Sequence, residues 1–113
     1  MHELSLCRSI MDIVQQHLTE RIGSKVTKIG VTIGELLAID QAALSFSFEV
    51  ITRNTPAEGA ILDIVVIAGR ANCEFCQQDV AIKRYFDVCP GCSNHLLLIT
   101  DGEQLRVNYM EID

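Results

Sequence analysis

The stretch that decides the fold is a pair of cysteine motifs, Cys73-Glu74-Phe75-Cys76 and Cys89-Pro90-Gly91-Cys92. Together they give the spacing C-x2-C-x12-C-x2-C, which offers four thiols as two close pairs. Four thiolates suit a tetrahedral zinc ion, and this spacing is typical of a zinc ribbon. A site closed by four cysteines leaves no open coordination position, so the predicted zinc is structural and not catalytic.

Two other interpretations of the four cysteines stay open at this point. Iron in a rubredoxin-like site, which would make the chain an electron carrier, uses the same four thiolates. A pair of disulfides requires an oxidising compartment. No charged and apolar leader precedes the first predicted helix, which counts against disulfides and indicates a cytoplasmic protein.

The motifs lie in a segment, residues 71–98, that has few apolar side chains for its length. These side chains are Phe75, Val80, Ile82, Tyr85, Phe86, Val88 and Leu96–Leu98. Their burial does not offset the conformational entropy lost when the whole segment is ordered. We therefore expect a zinc-ribbon domain at 71–98 that needs its metal in order to fold.

Two helices are predicted before the ribbon. Apolar residues recur at steps of three and four from Glu3 to about Arg21, which is the pattern of an amphipathic helix, and Gly23 is a suitable stop. Asp40 is placed to cap a second helix, which has to end before Pro56 because proline cannot continue it.

Three strands are predicted beside these helices. Residues 25–34 alternate as a half-buried strand, and residues 105–112 form the last strand. Residues 60–68 are almost wholly apolar and rich in β-branched side chains, which predicts the central strand. The expected architecture is therefore α/β: a small three-stranded sheet with two helices, built from residues 1–70 and 99–113, with the zinc ribbon inserted before the last strand.

Charge and hydropathy together argue against two classes of partner. The chain has 113 residues and a formal net charge of −6, with only nine Lys and Arg residues. Lys83-Arg84 is its one adjacent basic pair, so we expect no nucleic-acid binding. Apolar runs are far shorter than the roughly 20 residues that span a membrane, so we expect no membrane insertion.

The amino terminus, Met1-His2-Glu3, has two interpretations. One is a solvated histidine at a frayed chain end. The other is a nickel or copper site, since the α-amino group, the His2 amide and the His2 imidazole can form adjacent chelate rings in one plane. Glu3 would then be a further ligand or would orient the imidazole.

The remaining candidates have simpler explanations. Cys7 lies on the buried face of the first predicted helix, and His17 lies at the edge of that face. His95 follows the ribbon closely enough to be considered as a ligand. No nucleophile is paired with a base, and no carboxylate pair suggests a cleft, so we do not expect an enzyme.

Over its whole length the sequence resembles the HypA/HybF family of hydrogenase maturation proteins, which are nickel-insertion accessory proteins. The shared stretches are MHELSLC (1–7), VTKIGVTIGEL (26–36), LSFSFEV (44–50), EGAIL (58–62), the two cysteine motifs and VNYMEID (107–113). An MHE start combined with two late C-x2-C motifs makes this resemblance specific.

The resemblance implies nickel binding at the amino terminus through His2, with Glu3 implicated, and zinc binding by the four ribbon cysteines. It implies two partners, a nickel-handling GTPase (HypB-like) and the precursor of the [NiFe]-hydrogenase large subunit. The segment Ser93-Asn94-His95 departs from the family pattern, which leaves the fourth nickel ligand open.

The sequence is thus interpreted as a nickel metallochaperone that binds Ni(II) at Met1, His2 and Glu3 and helps to insert it into hydrogenase. The alternative from another class is a zinc-ribbon protein–protein adaptor without nickel binding. The sequence leaves the oligomeric state open, a homodimer included.

Overall fold

The computed structural model describes residues 3–18, 23–95 and 97–113. Its elements are α1 (Glu3–Leu18), β1 (Val26–Gly34), a short 3-10 helix (Glu35–Leu37), α2 (Gln41–Ile51), β2 (Ile61–Ile67), β3 (Arg70–Cys73), β4 (Asp79–Ala81), β5 (Leu97–Asp101) and β6 (Leu105–Ile112).

The described residues form two compact units. The helical unit comprises Met1–Val31, Ile39–Val65 and Arg106–Asp113, and the ribbon unit comprises Thr32–Ala38 and Val66–Leu105. The domain boundaries expected from the sequence, 1–70 with 99–113 and 71–98, stay a prediction.

Both predicted helices are present. α1 buries five apolar side chains along one face, namely Leu6, Cys7, Ile10, Met11 and Val14. The predicted continuation of α1 to Arg21 lies outside the described residues. Asp40 caps α2 as expected, because its Oδ1 accepts a hydrogen bond of 3.0 Å from the amide of Ala43. α2 ends at Ile51, ahead of Pro56.

The predicted three-stranded sheet is also present, in the order β2-β1-β6. β1 and β6 run antiparallel, since Asp113 N donates to Lys25 O at 2.8 Å while Gly34 N donates to Gln104 O at 2.7 Å. Residue numbers rise along one strand as they fall along the other. β1 is the central strand, and it is buried at every position from Ile29 to Gly34.

The prediction that residues 60–68 form the central strand is wrong. β2 is at an edge of the sheet, and Ile61, Val65 and Val66 are 64%, 50% and 45% exposed. A run of β-branched residues favours a strand, but it does not show that both faces are covered. The central position belongs to β1. Its two glycines, Gly30 and Gly34, let neighbouring segments of the protein approach closely.

The ribbon unit contains a second small sheet, in the order β4-β3-β5. Both pairings are antiparallel, with Ala71 opposite Val80 on one side and Ile99 on the other. The buried core of this unit is small and includes two of the cysteines: Leu36, Ala71, Cys73, Val80, Ile82 and Cys89.

Leu36 reaches this core from a distant part of the chain. Its amide donates to Gly102 O at 2.9 Å, and Glu35 Oε1 accepts from the amide of Gly69 at 2.9 Å. Gly102 has φ +102 and would place a Cβ 2.6 Å from the Cα of Gly69, so a side chain there is excluded both by conformation and by space. These bonds hold the 3-10 helix against the rest of the ribbon unit.

Candidate metal centre

The four ribbon cysteines meet at one point in the ribbon unit. The Sγ atoms of Cys73 and Cys92 are 3.6 Å apart, and those of Cys76 and Cys89 are 3.7 Å apart. All four sulfurs lie within 4.8 Å of one another. Among the described residues this is the only group of three or more His, Cys, Asp or Glu side chains placed to hold a metal ion.

The two C-x2-C motifs adopt the same backbone turn. In the first, Gln77 N donates to Cys73 O at 2.8 Å and Cys73 N donates to Gln78 O at 2.9 Å. In the second, Ser93 N donates to Cys89 O at 2.7 Å and Cys89 N donates to Asn94 O at 2.9 Å. Gln77 and Ser93 both have φ near +60, at 63 and 62. Each turn therefore directs its two sulfurs toward the same point.

The cluster fits a tetrahedral ion of zinc size. A Zn–S bond of about 2.3 Å gives sulfur–sulfur edges of about 3.8 Å in a regular tetrahedron. The two measured edges of 3.6 and 3.7 Å agree with this value. All five cysteines of the chain are free thiols, so the disulfide interpretation is not supported.

Burial makes the cluster a structural site. Cys73 and Cys89 are fully buried in the ribbon core, while Cys76 and Cys92 are half-buried and pack against it. Four protein sulfurs saturate a tetrahedral ion, so no position is left for a substrate or a transferable metal. The cluster is therefore distinct from the nickel site that the sequence predicts.

Backbone amides favour a thiolate at one corner of the cluster. The N–H of Cys76 and, to a lesser extent, that of Phe75 lower the pKa of Cys73 to about 7, against the opposing effect of desolvation. At Cys92 the N–H of Asn94 also favours the thiolate, but desolvation and the neighbouring thiols outweigh it and raise the pKa to about 12. A divalent cation favours the thiolate form at every ligand, so metal binding releases protons.

The predicted nickel residues lie at the other end of the chain. Met1 and His2 lie outside the described residues, and Glu3 occupies the first turn of α1, where it is half-buried. An acidic residue at this position is favoured by the helix dipole. Glu3 directly follows His2 in the sequence, so it is the described residue adjacent to the predicted chelate.

Cys7, one helical turn after Glu3, is a core residue as expected. It is fully buried and its Sγ donates to Leu44 O at 3.5 Å. Desolvation, with a smaller effect from the Glu3 carboxylate, raises the pKa of Cys7 to about 11. At neutral pH Cys7 is therefore a thiol and a poor metal ligand.

The two other histidines are exposed and lie outside the cysteine cluster. His17 Nδ1 is 2.8 Å from Ile13 O within α1, which supports the structural interpretation. The backbone carbonyl oxygen of His95 accepts a hydrogen bond of 2.9 Å from Leu97 N, and the His95 side chain is exposed.

Sequence reasoning missed Leu36, which packs in the same buried core as Cys73 and Cys89. It lies far from the cysteines in the sequence, so no local pattern links it to them.

No helix among the described residues has the length and hydropathy needed to cross a membrane.

The fold and the site define a class: a small α/β protein that carries a zinc-ribbon-like unit with four clustered cysteines. The family model described as "Hydrogenase/urease nickel incorporation, metallochaperone, hypA" matches residues 1–112. The chain belongs to the HypA family.

Individual relatives agree with this assignment. The chain is 49% identical to "Hydrogenase maturation factor HypA" of Legionella pneumophila (strain Lens) and 40% identical to the protein of that name in Azotobacter vinelandii. Both alignments cover 100% of this chain and of the relative. The solution structure of the Ni metallochaperone HypA from Helicobacter pylori superposes with a TM-score of 0.67 at 27% identity, over 99% of this chain and 97% of that one.

Proposed function

We propose that this protein carries Ni(II) at Met1, His2 and Glu3 and helps to insert it into [NiFe]-hydrogenase during maturation. The observation that carries the proposal is the match to a nickel-incorporation family across residues 1–112. The closed geometry of the cysteine cluster supports it, because transferable nickel then needs a different site.

The chemistry of the amino terminus suits nickel and suits transfer. The α-amino nitrogen, the deprotonated amide nitrogen of His2 and the His2 imidazole supply three donors in a plane, which is the ligand arrangement that Ni(II) favours and zinc does not. Glu3 adds a carboxylate at the start of α1 as a fourth ligand or as a hydrogen-bond partner of the imidazole. Metal held at a chain end can leave without opening the core.

We assign the ribbon cluster to structural zinc, held by Cys73, Cys76, Cys89 and Cys92. Zinc bound there would link β3 to the 89–92 turn and would complete a core that has few apolar side chains. Iron would fit the same four sulfurs. Metal analysis of the purified protein distinguishes zinc from iron.

The proposed partners are a nickel-handling GTPase (HypB-like) and the large-subunit precursor of [NiFe]-hydrogenase, in the cytoplasm, where the thiols stay reduced. The proposal assigns a carrier role and no catalysed reaction. Nucleic acid is not a proposed partner, because a net charge of −6 opposes phosphate binding.

Metal analysis of untagged protein after nickel titration and desalting tests this function. The proposal predicts one zinc and one nickel per chain. The rival function, an adaptor that only bridges proteins through its ribbon, predicts one zinc and no retained nickel. Iron in place of zinc, with a visible charge-transfer band, would instead indicate an electron carrier.

A further inference from the structure

The strand β2 has an outer side that no other described strand of the chain covers. It stands at the end of the sheet order β2-β1-β6, so β1 pairs with one of its sides only. On the other side, alternate backbone N–H and C=O groups point away from the sheet. Another extended chain presents donors and acceptors at the spacing that completes such an edge. We refer to the outer side of Ile61–Ile67 as the β2 edge.

β2 lacks the features that protect the other sheet edges among the described strands. β6, the opposite edge of the same sheet, carries two exposed charged residues, Arg106 and Glu111. The edges of the ribbon sheet, β4 and β5, are only three and five residues long. β2 is seven residues long and contains neither a basic residue nor a proline. Exposed charges, proline and short length are the usual obstacles to edge pairing, so the β2 edge is the most open to a further strand.

β2 presents apolar side chains on both faces of the sheet. Leu62 lies on the helix side, where it lines a cavity together with Phe48 of α2. Val66 is on the same face as Leu62, because side chains alternate along a strand, and it is exposed. Ile61 and Val65 are on the opposite face and are also exposed. A strand along the β2 edge would therefore cover apolar surface on both faces of the sheet.

The single charged side chain of β2 is turned away from the β2 edge. Asp63 Oδ2 accepts a hydrogen bond of 2.5 Å from Tyr109 Oη. The Tyr109 ring lies over Gly30 of β1, so this bond draws the carboxylate toward the middle of the sheet. The charge of Asp63 therefore does not block the approach of another strand, even though the whole chain has a net charge of −6.

We propose that the β2 edge pairs with the β2 edge of a second copy of this chain, antiparallel and centred on Ile64, and that this pairing makes a symmetric dimer. The sequence of β2 is self-complementary in this register. Ile64 lies opposite itself, and the other pairs are Ile61 with Ile67, Leu62 with Val66 and Asp63 with Val65. Every pair contains an apolar side chain, and no carboxylate lies opposite another. A register centred on Asp63 would place two carboxylates opposite each other, which is unfavourable.

We expect this dimer to be weak and dependent on concentration. The pairing joins two three-stranded sheets into one, but it brings together only two strands of seven residues. Such a contact is smaller than the about 1,200–2,000 Å² that a stable interface buries. The dissociation constant should therefore lie in the micromolar range or above. The inference goes beyond the proposed function and requires no nickel.

The test is sedimentation equilibrium of zinc-loaded, nickel-free, full-length protein from micromolar to millimolar concentration. We expect a reversible equilibrium between monomer and dimer. Amide hydrogen exchange, followed by NMR, locates the interface. Protection of alternate amides in Ile61–Ile67 should rise with protein concentration, whereas protection of the amides of β6, the opposite edge, should stay constant.

Charges introduced at position 65 test the register. Val65→Asp places a carboxylate opposite Asp63 of the second copy and should weaken dimerisation at least ten-fold. Val65→Lys removes the same apolar side chain but places an ammonium group opposite Asp63, so it should dimerise at least ten-fold more tightly than Val65→Asp. Val50→Asp and Val50→Lys make the same charge changes on the exposed side of α2 and should have similar dimer affinities. One zinc per chain and a dispersed amide spectrum show that each variant is folded.

A chain that stays monomeric at millimolar concentration would overturn the proposal and would leave the β2 edge to a strand of a different protein. A dimer that Val65→Asp and Val50→Asp weaken equally would show that the interface lies elsewhere. Equal dimer affinities of Val65→Asp and Val65→Lys would contradict the register centred on Ile64. All of these measurements use nickel-free protein, so the dimer and the proposed nickel function can fail independently.

Discussion

At the scale of single residues, the surroundings of each cysteine decide whether it is suited to bind a metal. Cys7 and Cys73 are both fully buried. Cys7 faces apolar side chains and the Leu44 carbonyl, whereas Cys73 faces three other sulfurs and backbone N–H groups. Only the second environment favours a thiolate, and thus a metal.

This contrast predicts different outcomes for two equivalent substitutions. Cys73→Ala should lose the zinc, because three sulfurs no longer close the tetrahedron. Cys7→Ala removes a sulfur of the same size from the helical unit and should keep one zinc per chain. Plasma mass spectrometry of the two purified variants measures this. Equal zinc in both would place the metal away from the ribbon cluster.

A second residue-scale prediction concerns the pair Tyr109 and Asp63. Tyr109 Oη donates to Asp63 Oδ2 at 2.5 Å, and this bond, with smaller effects of desolvation and of the Asp63 charge, raises the Tyr109 pKa to about 12. An unfolded tyrosine titrates near pH 10. The bond therefore contributes stability below about pH 10, and the contribution disappears as the pH rises toward 12.

Absorbance at 295 nm follows this titration directly, since the chain has only two tyrosines. Asp63→Asn should move the titration of one tyrosine down toward pH 10. The other, Tyr85, keeps its raised pKa because its partner is Glu103. An unchanged titration curve in Asp63→Asn would show that the bond does not form in solution.

At the scale of elements, a side chain of the neighbouring strand β6 packs over the central strand β1. A Cβ at Gly30 would lie 2.0 Å from Cε1 of Tyr109, so the tyrosine ring of β6 occupies the place of a side chain on β1. The same ring reaches Asp63 on β2. One aromatic side chain therefore connects all three strands of the sheet.

Gly30→Ala should destabilise the helical unit by about 1–3 kcal/mol, because the added methyl displaces the Tyr109 ring. Urea unfolding of a double-mutant cycle checks the cause. In a Tyr109→Ala background the cost of Gly30→Ala should become much smaller. The same cost in both backgrounds would show that the strain comes from the β1 backbone and not from the ring.

The elements also show what the sequence could and could not predict. The helices were predictable, because α1 has a continuous apolar stripe and Asp40 is a recognisable cap. β2 was predicted as a strand, but its position at the edge depends on pairing, which local composition does not record. β3, β4 and β5 are three to five residues long, too short for an alternating pattern to be visible.

At the scale of the whole molecule, the metal site was predictable from the sequence, because the spacing of its four ligands is fixed. Its support was not predictable. Leu36 follows β1 and reaches the ribbon core through Gly69 and Gly102, which a reading of local periodicity cannot detect.

The two units predict an uneven response to metal removal. The ribbon core has six buried residues, two of them cysteines, so loss of zinc should unfold β3, β4 and β5. The helical unit has its own apolar core and should stay folded. Amide NMR before and after chelation measures this, with zinc loss checked on the same sample. Unchanged chemical-shift dispersion for residues 70–101 after zinc loss would contradict the prediction that the metal keeps the ribbon unit folded.

The central claim is that nickel binds a chelate at the chain start, and nickel calorimetry on three forms tests it most directly. The forms are untagged protein, His2→Ala and protein with a short extension before Met1. His2→Ala removes the imidazole, whereas the extension keeps the imidazole and removes the free amine. We predict that both changes weaken nickel binding at least ten-fold while zinc content stays at one per chain, and that binding weakens as the pH falls. Equal nickel affinity in the extended and untagged proteins would contradict the chelate.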